Sequence, residues 1–227
     1  MPTELQKLHQ RINDCEKCPR LRKHCLTVAR EKRRSYQDET YWGKPIPGFG
    51  DPGAELVLVG LAPAAHGANR TGRIFTGDRS GDWLYRALHR AGFANQATSI
   101  ARNDGLKLKN AYISCAARCA PPQNKPTPAE LKRCAPFLEE ELGLLKNAKV
   151  FVALGQIGLN TLWPFISQGQ RKPTFGHGEY ASLADGRHLV MSYHPSQQNT
   201  FTGRLTEPMF DAVFTQAQNL LCNRERS

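Results

Sequence analysis

Gly60-Leu-Ala-Pro-Ala-Ala-His-Gly-Ala-Asn-Arg-Thr-Gly-Arg-Ile-Phe-Thr-Gly-Asp-Arg-Ser-Gly81 joins a short apolar run, Glu55-Leu-Val-Leu-Val59, to the stretch Asp82-Trp-Leu-Tyr-Arg-Ala-Leu-His-Arg-Ala91. The run before it reads as a buried strand and the stretch after it as a helix. The segment is therefore a strand-to-helix connection at the carboxyl end of a strand, the edge at which open α/β sheets bind ligands. Ordinary connections of this kind span about 2–6 residues, and this one is roughly three times as long. Its five glycines let the backbone come close to a ligand. Arg70 and Arg73 suit phosphate, Phe75 offers a flat face, and Asp78 is the carboxylate inside the loop. This inventory implies a partner with phosphate and a planar group. Neither Gly-x-x-x-x-Gly-Lys-Ser/Thr nor Gly-x-Gly-x-x-Gly is present, so the loop is neither a P-loop nor a dinucleotide fingerprint.

Working outward, Ala111-Tyr-Ile-Ser-Cys115, Val150-Phe-Val-Ala-Leu154 and His188-Leu-Val-Met-Ser-Tyr193 read as three more buried strands. Helices are expected near 3–14, 19–36, 82–92, 127–145, 155–163 and 205–222. Thr127-Pro-Ala-Glu130 opens one of them with a Thr cap, a Pro in the first turn and a Glu three residues on. Residues 41–53 form a Pro/Gly-rich linker, and 167–187 read as irregular. Four strands alternating with helices predict an α/β domain, a four-stranded parallel sheet covered on both faces. Each strand delivers a polar, Gly- or Pro-rich loop to one sheet edge. Among them are Arg118–Pro128, which contains Asn124, and His194-Pro-Ser-Gln-Gln-Asn199.

The 227 residues suffice for one well-packed domain. Lys and Arg number 31 against 20 Asp and Glu, a formal charge of +11, which points to a polyanionic partner. No apolar run approaches the ~20 residues of a spanning helix, and the first residues lack a signal peptide's apolar core. The expectation is a soluble, cytoplasmic protein, no membrane, a monomer, with nucleic acid as partner. Between Lys17 and Arg34 stand eight Lys/Arg and one Glu, a face suited either to solvent or to a phosphate backbone.

Seven cysteines in a cytosolic chain read as metal ligands or spectators rather than disulfides. Cys15-x-x-Cys18 has the spacing of ligands to one centre, and Cys119 with Cys134 is the plausible second pair. Cys25 and Cys115 are rivals, and Cys222 reads as a spectator. Four thiolates suit either zinc or an iron–sulfur cluster, and spacing does not choose between them.

The long first motif resembles that of family 5 (type B) uracil-DNA glycosylases. His194-Pro-Ser196 stands at the superfamily's second motif, and Cys15, Cys18, Cys119 and Cys134 resemble the cluster ligands of families 4 and 5. The similarity spans roughly residues 10–220. It implies an α/β/α sandwich over the whole of 1–227, with an N-terminal segment of about 3–40 anchored by a structural [4Fe-4S] cluster. It implies excision of uracil from DNA, leaving an abasic site. The polar residue that many members carry after the first Gly is here Leu61, as in family 5. The uracil-reading Asn of family 4 is here Cys115, and a broader range of deaminated bases is what family 5 implies. On this resemblance Asp78 and His194 are the candidate catalytic residues, and Gly60, Ala62, Phe75, Asn124, Ser196 and Asn199 the candidate substrate contacts. Two other readings use the same features: a non-catalytic iron–sulfur nucleic-acid-binding protein, and a small-molecule or nucleotide hydrolase.

Overall fold

A computed structural model describes residues 1–222. Four apolar strands lie side by side and parallel: β2 (Leu56–Gly60), β3 (Ala111–Cys115), β4 (Val150–Leu154) and β6 (His188–Ser192). Nearly every residue in them is buried, as strands covered on both faces require. Two short strands, β1 (Phe49–Gly50) and β5 (Tyr180–Ser182), add antiparallel edges. The sheet therefore has six strands, in the order β1-β3-β2-β4-β6-β5, rather than the expected four. The two edge strands escape sequence reading because they are two and three residues long and lack a buried apolar run.

Alternate side chains of the parallel strands face opposite layers. Leu56, Leu58, Ile113, Val152 and Val190 pack with α4 (Arg79–Arg90) and α8 (Glu207–Cys222). Val57, Val59, Tyr112, Phe151 and Met191 pack with α1 (Glu4–Asn13), α5 (Pro128–Leu144) and α6 (Gly155–Ile166). The three-layer α/β/α sandwich follows. The expected basic helix over 19–36 is shorter: α2 spans Pro19–Glu31, Lys32 turns to φ 54°, and a single 3-10 turn follows at Arg34–Tyr36. Two short helices that the sequence reading misses, α3 (Ala68–Thr71) and α7 (Gln197–Phe201), lie inside the loops after β2 and β6.

Thr3 and Thr127 each close a reciprocal capping box, with Gln6 and Glu130 respectively. Glu130 also takes a two-pronged grip from Arg20, at 2.8 and 2.7 Å, which fastens α2 to α5. That contact above all holds the Glu130 carboxyl down at about 2.

Among the described residues one ion pair is fully buried. Glu141 is fully buried and accepts from Arg118 Nη2 (2.8 Å), Tyr112 Oη (2.8 Å), Ser114 Oγ and the Gly48 amide (3.1 Å). Burial opposes its charge, and these donors outweigh it, so its pKa stays below the usual carboxylate value. The pair ties α5 to β3 and to the loop that follows β3. Removing one partner of such a pair strands the other charge, at a cost of about 3–5 kcal/mol. Glu141→Ala should lower the unfolding free energy by about that amount in urea denaturation, by leaving Arg118 alone in the interior.

Candidate active site at the carboxyl edge of the sheet

Two backbone pivots build the site. Phe75 adopts φ 52°, a left-handed conformation that a bulky residue takes only where its surroundings enforce it. This turns its ring under the end of β2. A Cβ on Gly60 would stand 2.9 Å from Phe75 Cζ, so only glycine admits the ring there. The ring then lies against His194, with centroids 5.7 Å apart and planes tilted by 29°. The loops after β2 and β6, far apart in the chain, thus meet at one rim.

Asp78 does two things at once. It is the N-cap of α4, its Oδ1 accepting the Gly81 amide at 3.1 Å. Its other oxygen faces Gly67, where a Cβ would lie 1.9 Å away. Burial pushes its pKa up to about 6, against the amides of Gly81 and Ser80. His194 moves the other way: burial lowers its pKa to about 4, so the imidazole is neutral at neutral pH. The His194 carbonyl accepts from Asn199 Nδ2 and from the Ser196 amide, each at 2.8 Å, while the Ser196 hydroxyl caps α7. Ser196 and Asn199 therefore fix the turn that carries His194.

Gly60 is buried and Ala62 half-buried, both just past the strand end. Asn124 lies on the loop after β3, which leaves from the same sheet edge, with its side chain exposed and φ 57°. Among the described residues no hydrogen bond or ring contact joins it to the Phe75–His194 pair. Two surface hollows, of about 600 Å³ beside α8 and about 680 Å³ on the outer face of α1, include none of these residues.

The structure corrects the reading of Arg70 and Arg73 as phosphate ligands. Both are buried and bond inward. Arg70 donates to the carbonyls of His66 (2.8 Å) and Gly77 (3.0 Å) and pairs with Glu39. Arg73 donates to Thr76 Oγ1 (2.9 Å), Ser99 Oγ (2.9 Å), the Arg102 carbonyl (3.1 Å) and Asp104 (2.8 Å). Partial burial opposes ionisation of Asp104, yet Arg73 and three backbone amides hold it far below the usual carboxylate range. The cations left at the rim are Arg79, over the ring of Phe201 at 4.3 Å, and the exposed Arg204, over Tyr193 at 4.5 Å. Phe201, 67% exposed at the end of α7, is the large apolar side chain presented beside the site. The sequence reading missed it because α7 is too short to show a periodicity.

At the opposite end of the same loop, His66 Nδ1 meets Tyr41 Oη at 3.0 Å and Asn69 donates to the Cys25 carbonyl at 3.2 Å. Both tie the loop to the N-terminal segment. There Cys18, Cys25 and Cys119 share one apolar cluster with Leu21. Burial raises the Cys134 thiol, and the thiols of Cys18 and Cys15 raise it further. Cys119 is raised by its contact with Cys25, by burial and also by Cys134. Cys134 thus lies within electrostatic reach of Cys15 and Cys18, and Cys119 of Cys134 and of Cys25. Among the described residues no three Cys, His, Asp or Glu side chains are already gathered as a site for a metal ion. The donor set is all thiol, which suits zinc and an iron–sulfur centre alike. Cys115 donates to the Ala117 carbonyl at 3.0 Å and is pushed up to about 12 by burial.

Residues 47–218 match the model of the uracil DNA glycosylase superfamily. The chain belongs to this superfamily. It is 50% identical over 221 residues to the type-5 uracil-DNA glycosylase of Mycobacterium leprae, covering 95% of each chain. It is 49% identical over 211 residues to that of Thermus thermophilus, covering 93% of this chain and 95% of the relative. To a type-4 uracil-DNA glycosylase of Pyrobaculum aerophilum it is 30% identical over 199 residues, 85% of this chain and 83% of that one. Within the glycosylase superfamily it groups with type 5. Leu61, which follows the first glycine of the motif, is half-buried and offers no polar atom to the rim.

The Asp78 shift has a cost in stability. Between the ordinary carboxylate pKa and about 6 the folded chain binds the proton more tightly than the unfolded one. Stability therefore falls as pH rises through that window, and the loss is complete above it. Asp78→Asn keeps a good cap and removes the charge. The variant should melt at a higher temperature than the parent above pH ~6, with the gap closing toward pH ~4, as scanning calorimetry across that range would show.

Proposed function

We propose that this chain is a DNA glycosylase that hydrolyses the N-glycosidic bond of uracil in DNA and leaves an abasic site. The observation that carries the reading is the convergence of a half-buried carboxylate, a neutral imidazole and an aromatic face at one edge of a basic protein. The target nucleotide must leave the duplex stack to reach that edge. A centroid separation of 5.7 Å leaves no room for a base between Phe75 and His194. The base therefore stacks on Phe75 with the imidazole at its edge, an aromatic contact of about 1–3 kcal/mol.

Bond cleavage sends the C1′–N electron pair to the base and leaves oxocarbenium character on the sugar. Asp78, ionised above pH ~6, stabilises that cation and takes the proton of the water that adds to C1′. His194 Nδ1 or Nε2, whichever carries hydrogen, donates to the base oxygen on which charge grows. Neutrality suits it, because it gives a hydrogen bond without having to give up a proton. Phosphate contacts from Arg79 and Arg204 supply affinity without sequence preference, Asn124 reads the base edge, and Phe201 enters the stack where the base has left it.

The base range extends beyond uracil to other deaminated bases. Type 4 carries an amide where this chain has Cys115, a buried thiol turned to the Ala117 carbonyl that presents no such group. Cys15, Cys18, Cys119 and Cys134 hold a [4Fe-4S] cluster whose role is structural: it clamps α2 to the loop after β3 and to α5. The enzyme acts as a monomer, all of its site segments coming from one chain. It works in the cytoplasm, where cysteines that ligate no metal, here Cys25, Cys115 and Cys222, stay reduced. Among the described residues no helix is long and apolar enough to cross a membrane.

Incubation with a uracil-containing oligonucleotide, followed by alkaline cleavage at abasic sites, tests the activity; uncut uracil strand with active protein would refute it. Single-turnover rates should rise with pH to a plateau above pH ~6, and Asp78→Asn should lose about 10²–10⁴-fold while still binding DNA. His194→Ala should lose about 10²–10³-fold. A parallel assay with hypoxanthine tests the wider range. The purified protein should be yellow-brown with absorption near ~400 nm from iron–thiolate charge transfer; colourless protein with stoichiometric zinc would overturn the cluster assignment.

A further inference from the structure

The N-terminal basic face carries several cations that the fold does not need. Arg20 is engaged by Glu130, and Arg22 by Glu16 and the Gly43 carbonyl. Lys17 lies over the Phe137 ring, and Lys32 donates to the Gln37 carbonyl. Arg30 reaches Glu31 at 3.7 Å, both of them largely in solvent. Arg33 and Arg34 are exposed, adjacent in sequence, and form no ion pair among the described residues. Two neighbouring unpaired guanidiniums repel each other, and a phosphate backbone relieves that repulsion.

These arginines are not on a loose tail. The Arg33 amide meets Tyr41 Oη at 3.4 Å, and that hydroxyl meets His66 of the first loop. The Trp42 and Gly43 amides donate to the carbonyls of Arg70 and Asn69, at 2.8 and 3.0 Å. The Arg70 guanidinium stacks on Tyr36 at 3.9 Å. Residues 33–43 are therefore bolted to α3, inside the loop that carries Phe75 and Asp78. Beyond them, Lys44 and the exposed Arg102 both face the ring of Trp42, at 5.8 and 4.3 Å. Of the acids on this segment, Glu31 faces Arg30 and Glu39 is taken by Arg70. Asp38 is exposed and pairs with no cation among the described residues.

We propose that Arg33 and Arg34, continued by Lys44 and Arg102, form a rigid phosphate ledge beside the first loop that grips the DNA backbone flanking the target nucleotide. The ledge rests on the DNA-glycosylase reading and adds a second backbone contact to the one at Arg79 and Arg204. It reads no bases, because its donors are guanidinium and ammonium groups suited to phosphate oxygens. Its anchoring on the catalytic loop means that backbone binding also fixes that loop's position.

The test is anisotropy binding of the full-length protein to an undamaged 30-base-pair duplex between 50 and 200 mM salt. Each phosphate contact contributes about 0.9 to the slope of log affinity against log salt. Arg33→Ala with Arg34→Ala should lower the slope by about 1.8, so that the variant's binding defect shrinks about 12-fold across that range. Arg33→Lys with Arg34→Lys should keep the slope. Equal slopes and affinities for the parent and the double-alanine variant would overturn the ledge. The excision assay on the parent separates the two readings. Excision with unchanged slopes removes the ledge alone, and a lowered slope without excision removes the glycosylase reading and leaves a backbone-binding surface.

Discussion

Two guanidinium groups turned inward hold the site together. The connection after β2 has little regular structure, with α3 as its one helical turn, and a loop of that length would ordinarily be mobile. Arg70 spans it from the His66 carbonyl to the Gly77 carbonyl, and Arg73 pins its later part to Ser99 and Asp104. Each forms several charge-assisted hydrogen bonds at fixed angles, which arginine's planar fork allows and lysine's does not. Rigidity obtained in this way lets Phe75 keep a strained backbone and lets Asp78 stay half-buried.

One physical effect then acts in opposite senses on Asp78 and His194. Withdrawal from water disfavours whichever form is charged. It makes the Asp78 carboxyl reluctant to ionise and the His194 imidazole reluctant to protonate. At neutral pH the pair is an anion and a neutral imidazole, the combination that the proposed glycosidic-bond cleavage needs. A cap position for the aspartate reinforces this. The amide that satisfies Oδ1 also starts the helix, so the placement of this carboxylate and helix initiation depend on one side chain. Burial of this kind costs stability.

The N-terminal segment gives the long loop its outer wall. Asn69 and His66 are bonded to α2 and to the residues that follow it, and Glu130 holds α2 to α5 through Arg20. Cys18 and Cys25 sit at the centre of that contact, packed on Cys119. An apolar cluster of this size buries little area, so the proposed link through the thiols would add to it. The same wall presents its unpaired arginines outward, next to the loop it supports.

Sequence patterning alone determined the four parallel strands, because each is a short apolar run too uniform to be half-exposed. It also determined the helix start at Thr127, where cap, proline and glutamate coincide, and the importance of the stretch 60–81, whose length and glycines are out of proportion to a simple turn. It placed Asp78, Phe75 and His194 on loops leaving one sheet edge, since a parallel sheet delivers every strand end to the same side. Tertiary structure alone decided that Arg70 and Arg73 face inward, because nothing local distinguishes an arginine that binds phosphate from one that binds carbonyls across its own loop. Only the folded chain could set Phe75 against His194 or aim Ser196 and Asn199 at a backbone carbonyl. It alone could add edge strands of two and three residues, because such contacts depend on segments whose proximity no periodicity records.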